Sequence, residues 1–276
     1  MQGAALDAGT RELLANELFD AYTTRIPVDR LSDRHPDMVV EDSYEIQLLQ
    51  IRRRLAEGRT IVGHKVGLTS AAMQRQLGVD QPDYGHITDD MVHLEHLPIS
   101  VDAYIQPKVE PEICFVLKRE LRGPGVTVPQ AIAAIDFILP AIEIIDSRIK
   151  DWKIGLLDTI ADNASSGGIV LGSTPVGVQD VDLRLSGCVL VRNGEVAATG
   201  AGGAVLGSPL TSLVWLANTV GAMGVVLEAG HVILPGSQTG AIAVGSGDAV
   251  TATFGGIGSV TARFSGQRAV SETGAA

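Results

Sequence analysis

The chain has 276 residues, 45% of them hydrophobic but only 4% aromatic, with 32 glycines. That is enough aliphatic material for one sizeable core, and it excludes wholesale disorder. The formal net charge of −11 excludes nucleic acid and anionic membrane as partners.

The first element reads as a helix, with Leu13, Leu14, Leu18 and Tyr22 marking one face and Pro27 ending the pattern. Asp42 and Glu45 resemble a capping box, and Tyr44, Leu48, Ile51 and Leu55 then recur at helical spacing. The expected helix covers about 42–57 and stops at Gly58. Thr60 to Leu68 alternates towards a strand, Ser70 caps a short helix ending at Gly78, and 79–92 reads as loop. Residues 108–118 form a strand. Residues 128–138 form a helix leading into a second buried strand, Ala141 to Asp146. Beyond Ile154 the chain is glycine-rich and strand-like. Ser208 and Pro209 open a helix through Met223, with Gly224 as its stop. Val250 to Phe254 and Val260 to Phe264 form a closing hairpin around Gly255-Gly256-Ile257-Gly258.

The order is helices first, then many strands with a few helices among them. It predicts an α+β fold with a curled, mixed or mostly antiparallel sheet. The expected units are a helical N-terminal region at 1–60, a catalytic domain at 61–265 and a disordered tail at 266–276. Met1 to Arg11 has no apolar signal core, and no apolar run is seen to approach ~18 residues. No membrane span is therefore expected, and the expected compartment is the cytoplasm. Cys114 and Cys188 sit in apolar runs and read as buried thiols in a reducing compartment.

The segment Pro107-Lys108-Val109-Glu110-Pro111-Glu112-Ile113-Cys114-Phe115 carries the clearest chemistry. On a strand, Glu110 and Glu112 share a face, and two carboxylates there repel unless something neutralises them. A hard cation such as Mg²⁺ or Mn²⁺ would do so, and so would water at a sheet edge. Glu143, inside the apolar run from Ile138 to Asp146, needs a partner. It either completes a three-carboxylate site or pairs with Arg148, Lys150 or Lys65. Lys65, between Gly63 and Gly67, is placed to stabilise an enolate, or else to make a structural ion pair. His64 points the opposite way, to packing or surface. Asp83 lies in a polar Pro-containing segment and reads as an acid–base group or a turn cap. The runs Asp158 to Gly168 and Leu234 to Gly240 offer hydroxyl and N–H groups to a carboxylate, or are ordinary turns.

Taken together, these segments resemble the fumarylacetoacetate hydrolase superfamily, and within it the branch of 2-hydroxypenta-2,4-dienoate hydratases and 4-oxalocrotonate decarboxylases. In order, the resemblance rests on Gly63 to Ser70, Leu77 to Gly85, Pro107 to Phe115 and Glu143 to Arg148. It continues through Asp151-Trp152-Lys153, Asp162 to Ser166 and Leu234 to Ser237. It implies a mixed β-roll with a helical N-terminal part, and Mg²⁺ or Mn²⁺ on Glu110, Glu112 and Glu143. It further implies acid–base or electrostatic roles for Lys65 and Asp83, with substrate contacts from Tyr84, Ser165, Ser237 and Thr239. The implied substrate is a small 2-oxo or 2-hydroxydienoate acid, and the implied assembly is a homo-oligomer. A complex with a downstream aldolase or a paired decarboxylase is compatible with it. The run from Asp151 to Ile160 looks more like the hydratases, so water addition is the expected reaction. Decarboxylation of a 2-oxo-3-hexenedioate, acylpyruvate cleavage and a non-catalytic partner subunit are the alternatives.

Overall fold

The computed structural model describes residues 5–267, with the side chains of Met73, Gln76 and Leu77 outside the description. Three helices come first: α1 (Ala8–Thr24), α2 (Leu31–Arg34) and α3 (Val40–Ala56). Leu14, Leu18 and Ala21 form the buried stripe of α1, one residue aside from the expected face, and Leu13 is 58% exposed. These positions follow the three-to-four-residue helical repeat, which Leu13 breaks. The N-terminus of α3 is held by Asp42 alone. Its carboxylate accepts from the backbone N–H groups of Val39, Ala5 and Leu6, while Glu45 faces Arg52 at 3.9 Å. The helices pack through Leu14, Leu18, Leu31 and Ile46 onto Ile149 and Ala161.

The remaining chain runs β1 (Ile61–Gly67), α4 (Ala71–Leu77), β2 (Asp83–Thr88), β3 (Val92–His93), β4 (Ile99–Ser100) and β5 (Lys108–Leu117). It continues through α5 (Val128–Ala134), β6 (Ile135–Ile145), α6 (Leu156–Ala161), β7 (Ser166–Leu171), β8 (Gly187–Arg192) and β9 (Glu195–Ala201). It ends with α7 (Pro209–Ala222), β10 (Val232–Leu234), β11 (Ile242–Ala243), β12 (Ala249–Phe254) and β13 (Gly258–Ser265). Among the described residues these strands form two sheets. One follows the order β2-β1-β10-β5-β6-β7-β3, with β11 also on β5, and the other follows β4-β13-β12-β8-β9. Parallel pairs (β1/β10, β3/β7, β4/β13) interrupt otherwise antiparallel ladders, so the sheets are mixed as expected.

Three departures from the sequence reading have local causes. The stretch 79–92 contains β2, which pairs antiparallel with β1 from Gly67↔Asp83 to Ile61↔Thr88. All six of its residues are buried, so it lacks the one-sided alternation that marks a strand. The helix expected at 128–138 ends at Ala134, and β6 begins at once with Ile135. The helix α6 interrupts a stretch read as strand-like. The tail expected at 266–276 lies outside the described residues from 268 onward.

The larger sheet has two unlike faces. One packs against the smaller sheet through Ile113, Phe115, Ile142, Ile144, Val250, Ala252 and Val260. The other carries a small apolar cluster that includes Cys114, Ala141, Ile169, Leu234 and Ile87, and, further along the same strands, a group of charged side chains. Both cysteines are buried and free. The stretch Gly202–Ala222 is long and apolar enough to cross a membrane by length and composition, contrary to the sequence reading. Its Leu213, Leu216, Ala217 and Val220 are buried in the main core, as in the core helix of a globular domain.

Candidate metal centre

The register of β5 against β6 sets Glu110 opposite Glu143 and Glu112 opposite Ala141. Strand alternation keeps Glu110 and Glu112 on one face, and cross-strand pairing brings Glu143 to the same spot. One carboxylate oxygen from each lies within 4.8 Å of the others. Glu112 and Glu143 are buried, and Glu110 is partly exposed. The Lys65 ammonium, on β1, which β10 separates from β5 in the sheet, lies 3.3 Å from Glu143 Oε1 and donates to the Ala164 carbonyl at 2.9 Å. Lys65 is thus the ion-pair partner of Glu143, and Arg148 is not.

Electrostatics make this cluster unstable by itself. Burial pushes the Glu143 carboxyl up to about 7, against the pull of Lys65. Burial, reinforced by Glu143 and Glu110, holds Glu112 far above the ordinary carboxylate range. Burial alone would discharge Lys65, but Glu143, then Asp83, Glu110 and Glu112, hold its pKa above the ordinary lysine value. Glu112 Oε1 and Glu143 Oε2 are buried without any hydrogen-bond donor. Three carboxylates, two of them with an orphaned oxygen, and a single ammonium fit a hard divalent cation, which prefers oxygen ligands and supplies the missing charge.

Asp83 sits across β1–β2 from Gly67. A Cβ at Gly67 would collide with the Asp83 carboxylate and come within 3.3 Å of Lys65 Nζ, so this glycine is what lets the two side chains approach each other. Among the described residues neither Asp83 oxygen makes a hydrogen bond of ordinary geometry, and burial raises its pKa against the lowering effects of Lys65 and the nearby Thr159 hydroxyl.

The Leu234 to Gly240 turn acts mainly through its backbone. Gly236 N–H donates to Glu112 Oε2 at 2.7 Å, from a φ of +125°. Its missing side chain also matters, because a Cβ there would strike Thr69. Ser237 Oγ donates to the Thr239 carbonyl at 2.9 Å, and the Thr239 hydroxyl to the Gly240 carbonyl at 2.9 Å. Both side chains therefore shape the turn. The sequence reading expected this run either to offer hydroxyl and N–H groups to a carboxylate or to be an ordinary turn, and the carboxylate that takes an N–H is that of Glu112.

Ser165 Oγ lies 3.4 Å from Thr159 Oγ1 in a turn where Asn163, Ala164 and Ser165 all have φ between 52° and 54°. Three successive left-handed non-glycine residues cost roughly 1–3 kcal/mol each unless the surroundings enforce them. Here Asn163 clamps β2, accepting from His86 N–H at 2.8 Å and donating to His86 O at 2.9 Å. Arg148 donates to the Asp162 carboxylate and to the Ser166 and Asp162 carbonyls, with its guanidinium 4.3 Å from the Tyr22 ring centre. The strained turn presents the Ala164 carbonyl to Lys65.

Tyr84 is not brought to this site. It follows Asp83 on β2, so alternation sends its ring into the main core, stacked on Tyr44 at 4.8 Å. His64 is packing: its buried ring lies 4.9 Å from His86 and 5.6 Å from His231, centre to centre.

Comparison with known proteins agrees with this geometry. Residues 60–265 match the family described as fumarylacetoacetate (FAA) hydrolase C-terminal. A 2-keto-4-pentenoate hydratase of Paraburkholderia xenovorans is 46% identical over 254 residues, covering 92% of this chain and 94% of that protein. A 4-oxalocrotonate decarboxylase of Pseudomonas putida is 42% identical, covering 91% and 95%. The solved 4-oxalocrotonate decarboxylase of P. putida G7, complexed with magnesium and adipate, superposes with a TM-score of 0.92 at 38% identity, over 95% of this chain and 100% of that one. The chain belongs to the fumarylacetoacetate hydrolase family.

Proposed function

We propose that the protein is a divalent-metal-dependent hydro-lyase. It adds water to a 2-hydroxy-2,4-dienoate and releases a 4-hydroxy-2-oxo acid, as in meta-cleavage degradation of aromatic or steroid rings. The observation that carries this reading is the three-carboxylate cluster with Lys65 in contact with it, in a chain 46–48% identical to proteins named as hydratases of such dienoates. Glu110, Glu112 and Glu143 would hold Mg²⁺ or Mn²⁺. Bound there, the cation supplies Lewis-acid polarisation of the substrate's 2-oxygen.

The chain's own groups have separable tasks. Two of the three Lys65 N–H donors are engaged by Glu143 and Ala164. The third is free to stabilise negative charge developing on the 2-oxygen. Asp83, buried with a raised pKa beside Lys65 and the Thr159 hydroxyl, suits proton movement. Ketonisation takes the proton from the 2-hydroxyl and delivers one to C5. Water then adds hydroxyl at C4 and a proton at C3. Ser165 lies on the strained turn beside Lys65, and the Ser237-Thr239 turn holds Glu112. Both line the substrate's surroundings in this reading. A cytoplasmic homo-oligomer, open to complexes with a downstream aldolase, completes the proposal.

The test is loss of dienoate absorbance on adding 2-hydroxypenta-2,4-dienoate with Mg²⁺ or Mn²⁺, before and after chelation. Activity that survives complete chelation would refute the reading. Decarboxylation is the second reading, favoured by the TM-score of 0.92 to a named decarboxylase. Release of CO₂ from 2-oxo-3-hexenedioate, with no hydration of the dienoate, would replace the first reading with the second.

A further inference from the structure

An anionic substrate must approach a site that already gathers Glu110, Glu112, Glu143 and Asp83, in a chain of formal charge −11. Lys65 offers little long-range help, because it is buried against Glu143 and the Ala164 carbonyl. The next position along the same face of β5, beyond Glu110, is Lys108. Its side chain is half-buried; Glu110 acts on it electrostatically, but among the described residues no carboxylate lies within ion-pair distance of it. Its ammonium lies instead 4.5 Å from the centre of the Trp152 ring.

That seat is built at a cost. Asp151 and Trp152 both have left-handed backbones, with φ of 57° and 55°. Such conformations on non-glycine residues are retained only where the surroundings enforce them, and they gather at functional positions. The enforcing contacts are explicit. The Trp152 indole N–H donates to the Gln106 carbonyl at 3.0 Å. The Gln106 side chain donates to the Ser147 and Ile149 carbonyls at 2.9 and 2.6 Å. The ring is thereby tied to the start of β5, beside Lys108. A cation resting on an aromatic face keeps its charge, loses side-chain freedom and retains donors for an incoming anion.

We propose that Lys108, seated on Trp152, binds the carboxylate of the 2-oxo acid substrate at the mouth of the metal site. This rests on the 2-oxo acid reading given above. Trp152 is a positioning residue, acting only through the ammonium it holds.

The test compares wild type, Lys108→Gln and Lys108→Arg in two measurements. One is calorimetric titration of the Mn²⁺-loaded protein with oxalate; the other is steady-state hydration of 2-hydroxypenta-2,4-dienoate. In Lys108→Gln the oxalate Kd and the KM are expected to rise roughly 10-fold or more, the scale of a charge-assisted contact, with kcat falling by less. Lys108→Arg is expected to recover both constants to within about 3-fold, since the charge is kept and a guanidinium also rests on an aromatic face. Mn²⁺ binding without oxalate should not weaken in Lys108→Gln. Unchanged oxalate Kd in Lys108→Gln overturns the inference. So does an equal loss in both variants, which marks a structural role. If wild type binds Mn²⁺ and oxalate yet hydrates no dienoate, the hydratase reading fails, and the oxalate titration still decides the role of Lys108.

Discussion

Two buried charge centres lie on either side of the turn at 163–165, and they are built in opposite ways. Around Arg148, every guanidinium nitrogen has a hydrogen-bond partner. The guanidinium donates to the Asp162 carboxylate and to two carbonyls, and Asp162 also accepts from Arg148 N–H at 3.0 Å and from Ser147 Oγ at 3.4 Å. Around Lys65, carboxylate oxygens of Glu112, Glu143 and Asp83 lack any donor. A structural ion pair spends its capacity inside the chain, whereas a centre meant for a ligand leaves capacity open. Burial by itself does not separate the two, since all these residues are buried. Satisfaction does.

The sharpest way to break this contrast is to remove a ligand from the open centre. Glu110→Gln is expected to lower metal-dependent turnover by at least ~100-fold, and chelation of wild type should do the same. Circular dichroism of the variant should match wild type, because Glu110 is partly exposed and supports no hydrogen bond that the fold requires. Turnover within a few-fold of wild type would remove Glu110 from the centre.

The Arg148 centre should respond in stability instead. Arg148→Met leaves Asp162 buried without its partner and should cost about 3–5 kcal/mol in urea unfolding. The strained turn that places Ala164 O against Lys65 would loosen with it. Arg148→Met combined with Asp162→Leu should recover part of the loss, since no buried charge then remains. A single variant as stable as wild type would show that the guanidinium is not what holds the turn.

The histidines behind β1 supply a third, smaller contrast, as buried groups kept neutral. Burial depresses His64 well below its ordinary 6.5 and His86 to about 4. The unfolded chain therefore takes up protons below about pH 6.5 that the folded chain refuses. Stability should fall as pH drops through that window, down to about pH 4, where folded His86 protonates as well. For His86 the loss amounts to at most about 3 kcal/mol, from 2.5 units between 6.5 and 4. His86→Phe should flatten the fall between pH 6.5 and 4 in thermal melts. An unchanged slope would assign the acid sensitivity to other groups.

Much of the open centre was legible because its signals are local. Glu110 and Glu112 sit two apart on a strand that continues into Ile113 to Leu117, and Glu143 stands alone in an apolar run, so periodicity and burial flagged all three. What escaped the sequence depends on distance or on backbone. Arg148 and Asp162 are separated by a helix, and nothing in their neighbours marks them as partners. The Leu234 to Gly240 run was expected to offer N–H groups, but that Glu112 takes the one from Gly236 rests on a backbone group every residue but proline owns. Asn163 to Ser165 adopt left-handed backbones that favour glycine, so residue type pointed away from the true conformation. The resemblance implied a substrate contact from Tyr84, yet the same alternation that aligned Glu110 with Glu112 turns it into the core.

The smallest expected effect tests the comparison most directly, because its sign depends on the ion. In chelator, Glu112→Gln removes a buried acid whose ionisation burial, Glu143 and Glu110 all oppose, and its amide oxygen can still accept from Gly236 N–H. The variant should therefore be about 1 kcal/mol more stable than wild type. In Mn²⁺ the order should reverse. Wild type gains binding free energy, about 2.7 kcal/mol at a hundredfold excess over Kd, and the variant gains little. Thermal melts of both proteins with and without Mn²⁺ would show the crossing. If Glu112→Gln is less stable than wild type in chelator, the carboxylate is satisfied within the chain, and the open centre belongs to the same class as Arg148.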